Sequence, residues 1–126
     1  MAYNEGVKSF TAAGTIKAHA RVKLSAGTTT TPPEVEEAGA GENYIGFAEY
    51  AAVLGDMVSI KLKNYPGTVE AIASEAFLIG ATLYGAAAGR VGDTAVGAGQ
   101  AIAIEAATAL GDIVEVLPCF DLTDNT

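Results

Sequence analysis

Cysteine, histidine and tryptophan are nearly missing from this sequence: one Cys, one His and no Trp among 126 residues. A single thiol, Cys119, can form neither an internal disulfide nor a cysteine-built metal cage. It stands between Pro118 and Phe120 with no neighbouring base, and so reads as a buried, inert thiol rather than a nucleophile. His19, in "TIKAHARVKL", would share the polar side of a strand with Lys17, Arg21 and Lys23, as an exposed or structural ring without catalytic partners. Basic residues are scarce where they would matter most. Residues 64–126 hold one, Arg90, against eight acidic residues, whereas residues 1–63 hold six against seven, and the formal net charge is −8. Binding nucleic acid requires a basic face that displaces phosphate counterions, so no direct nucleic-acid contact is expected. No apolar run of about 18 residues is free of glycine and charge, so no membrane span is expected either. "MAYNEGVKSF" has neither a basic n-region nor an apolar h-region, which predicts a chain without a secretory leader, soluble in the cytosol of the cell that makes it.

What is abundant is small. Twenty-five alanines and 15 glycines stand against nine aromatics, so a core built here contributes less burial per residue than one of Leu and Phe. Such a core favours close packing of elements and leaves room for stabilisation by a partner. The length suits one domain with one core.

The chain also repeats itself. "AVLGDMVSIKL" (52–62) returns as "TALGDIVEVLP" (108–118), with 56 positions between Gly55 and Gly111. "GVKSFTAAGTIKAHARVKL" (6–24) lies on "TVEAIASEAFLIGATLYGA" (68–86) without a gap, at an offset of 62, pairing Val7 with Val69, Phe10 with Ile72 and Ile16 with Leu78. "YIGFAEYAAVLGDMVSIKL" (44–62) lies on "QAIAIEAATALGDIVEVLP" (100–118) at 56. About six extra residues (62 − 56) therefore fall in the first copy, within residues 25–43, where Pro32-Pro33, threonines 28–31 and several glycines argue against regular structure. This predicts a duplicated unit, over about 6–62 and 68–118, with a longer loop in copy one.

Each unit reads as β. Val58, Ile60 and Leu62 alternate with Met57, Ser59 and Lys61, and Val114 and Val116 repeat the pattern. A Gly-Asp corner precedes each run: glycine supplies the positive φ of a tight reversal, and the carboxylate of Asp56 or Asp112 binds nearby N–H groups. Helix is the rival reading for the alanine-rich stretches 71–76 and 101–109, but the glycine spacing leaves few long windows. The expected fold is mostly β: a compact barrel or sandwich built from two similar β units, with an extended N-terminal arm over 1–13, a single β domain over 14–120, a long loop at about 25–43 and a C-terminal tail over 121–126.

Catalytic chemistry finds little footing. Glu34, Glu36 and Glu37 lie in the proline-broken loop, a poor platform for fixed acid–base geometry. "DTAVGAGQ" and "GAGENYIG" lack the Gly-Lys-Ser/Thr ending of a phosphate loop, and no alternating oxygen ligands mark a calcium loop. No enzymatic activity, catalytic residue, cofactor or metal site is expected. Interaction is the better-supported role: Tyr3, Val7 and Phe10 stud the expected arm with apolar groups, which a partner surface would hold in place.

The runs "TAAGTIKAHARVKL", "YIGFAEYAAVLGDMVSIKL", "PGTVEAIASEAFLIGATLYGAAAGRV" and "AIAIEAATALGDIVEVLP" together resemble the small capsid decoration, or cement, proteins of tailed bacteriophages, over about residues 6–118. The longer loop at 25–43 departs from the simpler members. The resemblance implies a β-rich virion protein made in the host cytoplasm and bound outside the shell. Its partner would be the major capsid protein, whose neighbouring subunits it would bridge as a homo-oligomer, a trimer ahead of a dimer. It assigns partner contacts to Tyr3, Val7 and Phe10 in the arm and to Thr30, Pro32, Pro33 and Val35 in the loop, with the acidic second half facing solvent or a basic region of the shell. A surface β module binding carbohydrate or another protein is the alternative, disfavoured by the few aromatics on which sugars could stack. An enzyme subunit whose site forms across an interface is a third.

Overall fold

A computed structural model describes residues 6–25, 32–63 and 67–122. Strands β1 (Val7–Ala12), β2 (Arg21–Leu24), β3 (Glu34–Glu37), β4 (Gly46–Ala48) and β5 (Met57–Leu62) close a barrel in the order β1-β3-β2-β4-β5. Strands β6 (Val69–Ile72), β7 (Thr82–Gly85), β8 (Val91–Gly92), β9 (Gly99–Ala103) and β10 (Ile113–Leu122) form a second, curled sheet in the order β6-β10-β9-β7-β8. A 3-10 turn at Ala87–Gly89 precedes β8. β1 and β3 run parallel, with Ala12 opposite Val35. The second sheet has the same parallel contact reduced to one bridge, Ala73 to Val91.

The two units match strand for strand, which bears out the mostly β fold from two similar units. The offset, however, is 61 in the first block rather than 62. Thr11 pairs with Met57 and Ile72 with Ile113; Ile113 is the counterpart of Met57 (113 − 57 = 56), so Ile72 is the counterpart of Thr11 (72 − 11 = 61). The bridges Ile16↔Ala52 and Phe77↔Ala107 keep the 61 (77 − 16), matching buried Ile16 to buried Phe77 and not to Leu78, and they also place β9 at an offset of 55 from β4 (107 − 52) rather than 56. Because strand side chains alternate, this one-residue slip exchanges inside and outside along the whole strand. The surplus of copy one is also localised. Leu24 pairs with Val35 and Gly85 with Val91, so 11 positions (35 − 24) correspond to 6 (91 − 85), and five extra residues lie between β2 and β3.

Alternation builds the interiors as expected. Val58 and Ile60 fill the barrel, and Val114 and Val116 the concave side of the second sheet. The alanine-rich segments form strands rather than helices, because a narrow five-stranded interior has room for few large groups. Ala71, Ala73, Ala101 and Ala103 leave that room to Phe77 and Leu83, and this packing overrides alanine's helix propensity. The Gly-Asp corners recur with φ of 89° at Gly55 and 96° at Gly111. Each glycine N–H binds the end of the unit's first strand, Gly55 to Ala12 O at 2.9 Å and Gly111 to Ala73 O at 2.8 Å.

The expected division at residues 1–13 and 14–120 is corrected. Residues 7–12 form a strand paired along its length with β5, not an arm. At the other end, β10 carries strand pairing to Leu122, opposite Gly99, past the boundary set at 120. The 25–43 segment contains a strand, β3, because Val35 supplies the apolar group that this part of the barrel interior requires.

Departures from the repeat join the units. On the outer face of the first barrel, Arg21 stands opposite Phe47, where the second unit has Thr82 opposite Ile102. Phe47, with Tyr44 and Ala38, belongs to the core of the second unit, and Ile72 belongs to the core of the first. The Tyr44 and Phe47 rings meet edge to face at 5.1 Å. Arg21 is fully buried between the units. Its Nη2 donates to Ala86 O (2.6 Å), Gly39 O (3.0 Å) and Ala38 O (3.3 Å), its Nε to Arg90 O (2.9 Å), and its Nη1 to Glu42 O and Gln100 Oε1 (3.3 Å each). Gln100 Nε2 adds a bond to Glu42 O at 2.9 Å, and Tyr44 OH donates to Gln100 O at 3.1 Å. Burial lowers the guanidinium pKa to about 10, so the group stays charged at neutral pH. Gly85 leaves the space for it: a Cβ there would sit 2.7 Å from Arg21 Cζ.

Arg21→Met is expected to destabilise the fold by about 3–5 kcal/mol, since buried carbonyls lose their donor, and urea unfolding checks it. Gly85→Ala should cost stability in the wild-type background and much less beside Arg21→Met. Additive costs would show that the clash is not with the guanidinium.

Candidate functional site: the apolar tip of the second unit

The residues expected to meet a partner do not converge on one surface. Phe10 and Val35 lie in the core of the first barrel, on neighbouring strands, and are unavailable for contact. Their strands alternate, and these are the positions whose side chains turn inward. Val7 is half-buried in β1, and Pro32 and Pro33 are half-buried just before β3. Tyr3 and Thr30 lie outside the described residues, as does the side chain of Cys119.

The basic row is dispersed as well. Arg21 is buried, Lys17 Nζ binds Glu37 (2.9 Å), and Lys23 Nζ binds Glu42 (2.9 Å). Strand alternation does not reach His19, which occupies a turn at φ 69° where the second unit has Gly80 at φ 88°. Both residues donate the equivalent N–H, His19 to Ala48 O (2.9 Å) and Gly80 to Ala103 O (2.8 Å). The His19 ring reaches across to the second unit, with Nε2 3.5 Å from Glu70 Oε1.

His19, Glu49, Lys61 and Glu70 line a shallow cleft between the units, about 170 Å³ in volume. A neighbouring hollow of about 270 Å³ adds Thr68, Glu105 and Glu115. The carboxylates are engaged by the chain itself: Ser59 donates to Glu49, Thr68 to Glu115, and the Glu115 N–H to Glu105 at 2.7 Å. Among the described residues, no group of three His, Cys, Asp or Glu side chains is placed to hold a metal ion.

The distinctive surface lies at one end of the second unit. Residues 73–81 join β6 to β7, residues 104–112 join β9 to β10, and Phe77 and Ala107 tie the two loops together by paired backbone bonds of 3.1 and 3.0 Å. Phe77 and Ala107 point into the core, which turns their neighbours outward. Leu78 is 77% exposed, Ile79 70% and Leu110 63%, beside exposed Ile104, Ala76, Ala106 and Ala109. The acidic residues of these loops are engaged by the chain itself, Asp112 within its own loop, Glu75 by the β8–β9 connection and Glu105 by β10. Asp112 Oδ2 accepts from Thr108 N (2.8 Å) and Oγ1 (2.9 Å) and from Ala109 N (3.3 Å). Glu75 accepts from Thr94 N (3.0 Å) and Oγ1. Both carboxyls are held below the usual range, Asp112 chiefly by the Thr108 N–H and hydroxyl and Glu75 chiefly by the Thr94 hydroxyl and N–H. The first unit has a similar pair of loops, with exposed Leu54 where the second has Leu110, but Lys17 and Ala18 stand where the second has Leu78 and Ile79.

Sequence reasoning missed this tip because the offset of 62 assigned Leu78 to the buried place of Ile16. The available signal was Gly80, whose turn fixes Leu78 and Ile79 as loop residues.

No protein-family model matches the chain, and no curated protein does. Among solved structures it is similar to one described as the crystal structure of head fiber gp8.5 N base in bacteriophage phi29. The TM-score is 0.76 and the identity 18%, over 94% of this chain and 98% of that one. The likeness is one of fold, and it extends over both units.

The folded Asp112 carboxyl lies below its unfolded value. Its stabilisation is therefore present above the unfolded value and lost as pH falls through the folded one. From about pH 5 down to about pH 2, the melting temperature of Asp112→Asn should fall less than that of wild type; parallel declines would show that the corner does not depend on the charge. At the left-handed turn, His19→Asn should leave stability nearly unchanged, while His19→Val should lower it by about 1 kcal/mol or more in thermal melts.

Proposed function

We propose that this chain is a structural protein of a phage virion. It binds the outer surface of the head through the major capsid protein and cements neighbouring capsid subunits, stabilising the expanded shell. The observation that carries the reading is the fold: a solved head-fibre base of a phage is similar to it in fold along nearly its whole length. The inter-unit network around Arg21 supports it by making one rigid body of two small units, as a clamp requires. The physical mechanism is mass action. A protein that binds only the expanded arrangement of subunits lowers that state's free energy, and symmetry repeats the gain at every equivalent site. Clustering of copies on the head, as trimers ahead of dimers, belongs to the same reading.

The arm-deletion experiment that the sequence invites cannot test this, since removing residues 1–12 removes barrel strand β1. Adding the intact chain to expanded heads assembled without it can. Electron cryomicroscopy should show density for the two-unit body outside the shell, bridging adjacent capsid subunits, and decorated heads should withstand heating that opens bare ones. Heads that stay bare at saturating protein would refute the reading. Decoration without gain in heat resistance would leave attachment standing and remove cementing.

A further inference from the structure

We propose that the second unit's tip, centred on Leu78, Ile79 and Leu110, is the docking surface, and that it seats on an apolar patch of a protein partner rimmed by Lys or Arg. The assignment rests on the head-binding reading and names the face that does the binding.

Three observations converge on it. Leu78 and Ile79 are not required by the fold, because the first unit builds a similar loop pair, bridged at Ile16 and Ala52, with Lys17 and Ala18 in their place, whereas Leu110 has an exposed counterpart in Leu54. Large apolar side chains this exposed on two bridged loops, in a protein with few large side chains, point to an interaction site. The loops are also pre-formed: the Phe77–Ala107 bonds and Asp112 on Thr108 and Ala109 fix the tip from within, and Glu75 ties it to Thr94 of the β8–β9 connection. A rigid surface spends little free energy on ordering when it binds.

Charge selects the partner. Glu75, Glu105 and Asp112 are the charged residues of the two tip loops, and Arg90 is the sole basic residue in 64–126. An acidic rim repels a second copy of the same tip, a nucleic-acid backbone and an anionic membrane alike. It attracts a basic rim and speeds docking onto it.

The test uses expanded heads assembled without the chain, with binding of purified wild type and variants measured by co-sedimentation across a range of salt. Circular dichroism and thermal melts serve as the fold control, because exposed loop substitutions should leave stability within about 0.5 kcal/mol. Leu78→Asp with Ile79→Asp is expected to weaken binding roughly 30-fold or more. Ala106→Lys and Ala106→Glu add comparable bulk with opposite charge, and the lysine variant should bind more weakly than the glutamate variant, by a margin that shrinks as salt rises. If wild type binds and the double variant binds within about twofold of it, the tip is not the docking surface. If Ala106→Lys binds as well as Ala106→Glu, the basic rim is wrong. If wild type self-associates in ultracentrifugation and the double variant does not, the tip joins copies of this chain and the assignment falls. If wild type fails to bind heads at all, the head-binding reading fails first and takes this one with it.

Discussion

The guanidinium of Arg21 is the constraint on which the two-unit arrangement depends. It is a full charge removed from water, and it survives there because backbone carbonyls from the β3–β4 and β7–β8 connections, with the Gln100 amide, surround it. Neutral carbonyls offset part of the desolvation that would otherwise forbid a buried cation. They also fix direction, since a planar fork accepts partners only along its five N–H bonds. The units are therefore held at one mutual orientation, and Gly85 leaves open the volume that this orientation needs. Tyr44 and Phe47, lent by the first unit to the core of the second, add apolar area that the alanine-rich second sheet lacks.

Repetition and departure divide the labour in this chain. What the copies share builds walls: parallel closure at Ala12–Val35 and Ala73–Val91, the Gly-Asp corners, and the bridges at Ile16 and Phe77. What they do not share does everything else. Arg21 and Phe47, which stand where the second unit has Thr82 and Ile102, make the junction. Lys17 becomes Leu78, and a loop held by an ion pair to Glu37 becomes an exposed apolar one. His19 takes the left-handed turn that glycine takes in the other copy and extends its ring over the second unit. The proposed attachment to a phage head uses this asymmetry, since both tips expose a leucine at the Gly-Asp corner but only the second adds Leu78 and Ile79 on the facing loop.

Much of the fold was legible in the residues. Period-two alternation marked the strands around Val58 and Val114, the Gly-Asp pairs marked both corners, and the echo at 56 positions exposed the duplication. The candidate site was far less legible. Apolar residues near the amino terminus look alike whether they bind a partner or fill a barrel, and Phe10 and Val35 fill a barrel. The first repeat block could be slid by one residue with no visible penalty, because small apolar residues occur at nearly every position there. Only strand pairing, which alternates faces strictly, makes that slip consequential: it moves Leu78 from the core to the surface.

By itself the sequence determined the β character, the two units, the corners and the acidic balance of the second half, all of which follow from local periodicity, turn chemistry and composition. Tertiary structure alone decided that Arg21 is buried rather than part of a basic strand face, that β1 closes a barrel rather than reaching outward, and that Leu78, Ile79 and Leu110 are exposed at one end of the second unit. The physical reason is the same in each case. Whether a side chain meets water, a carbonyl or a core depends on what the rest of the chain brings beside it, and no local pattern records that.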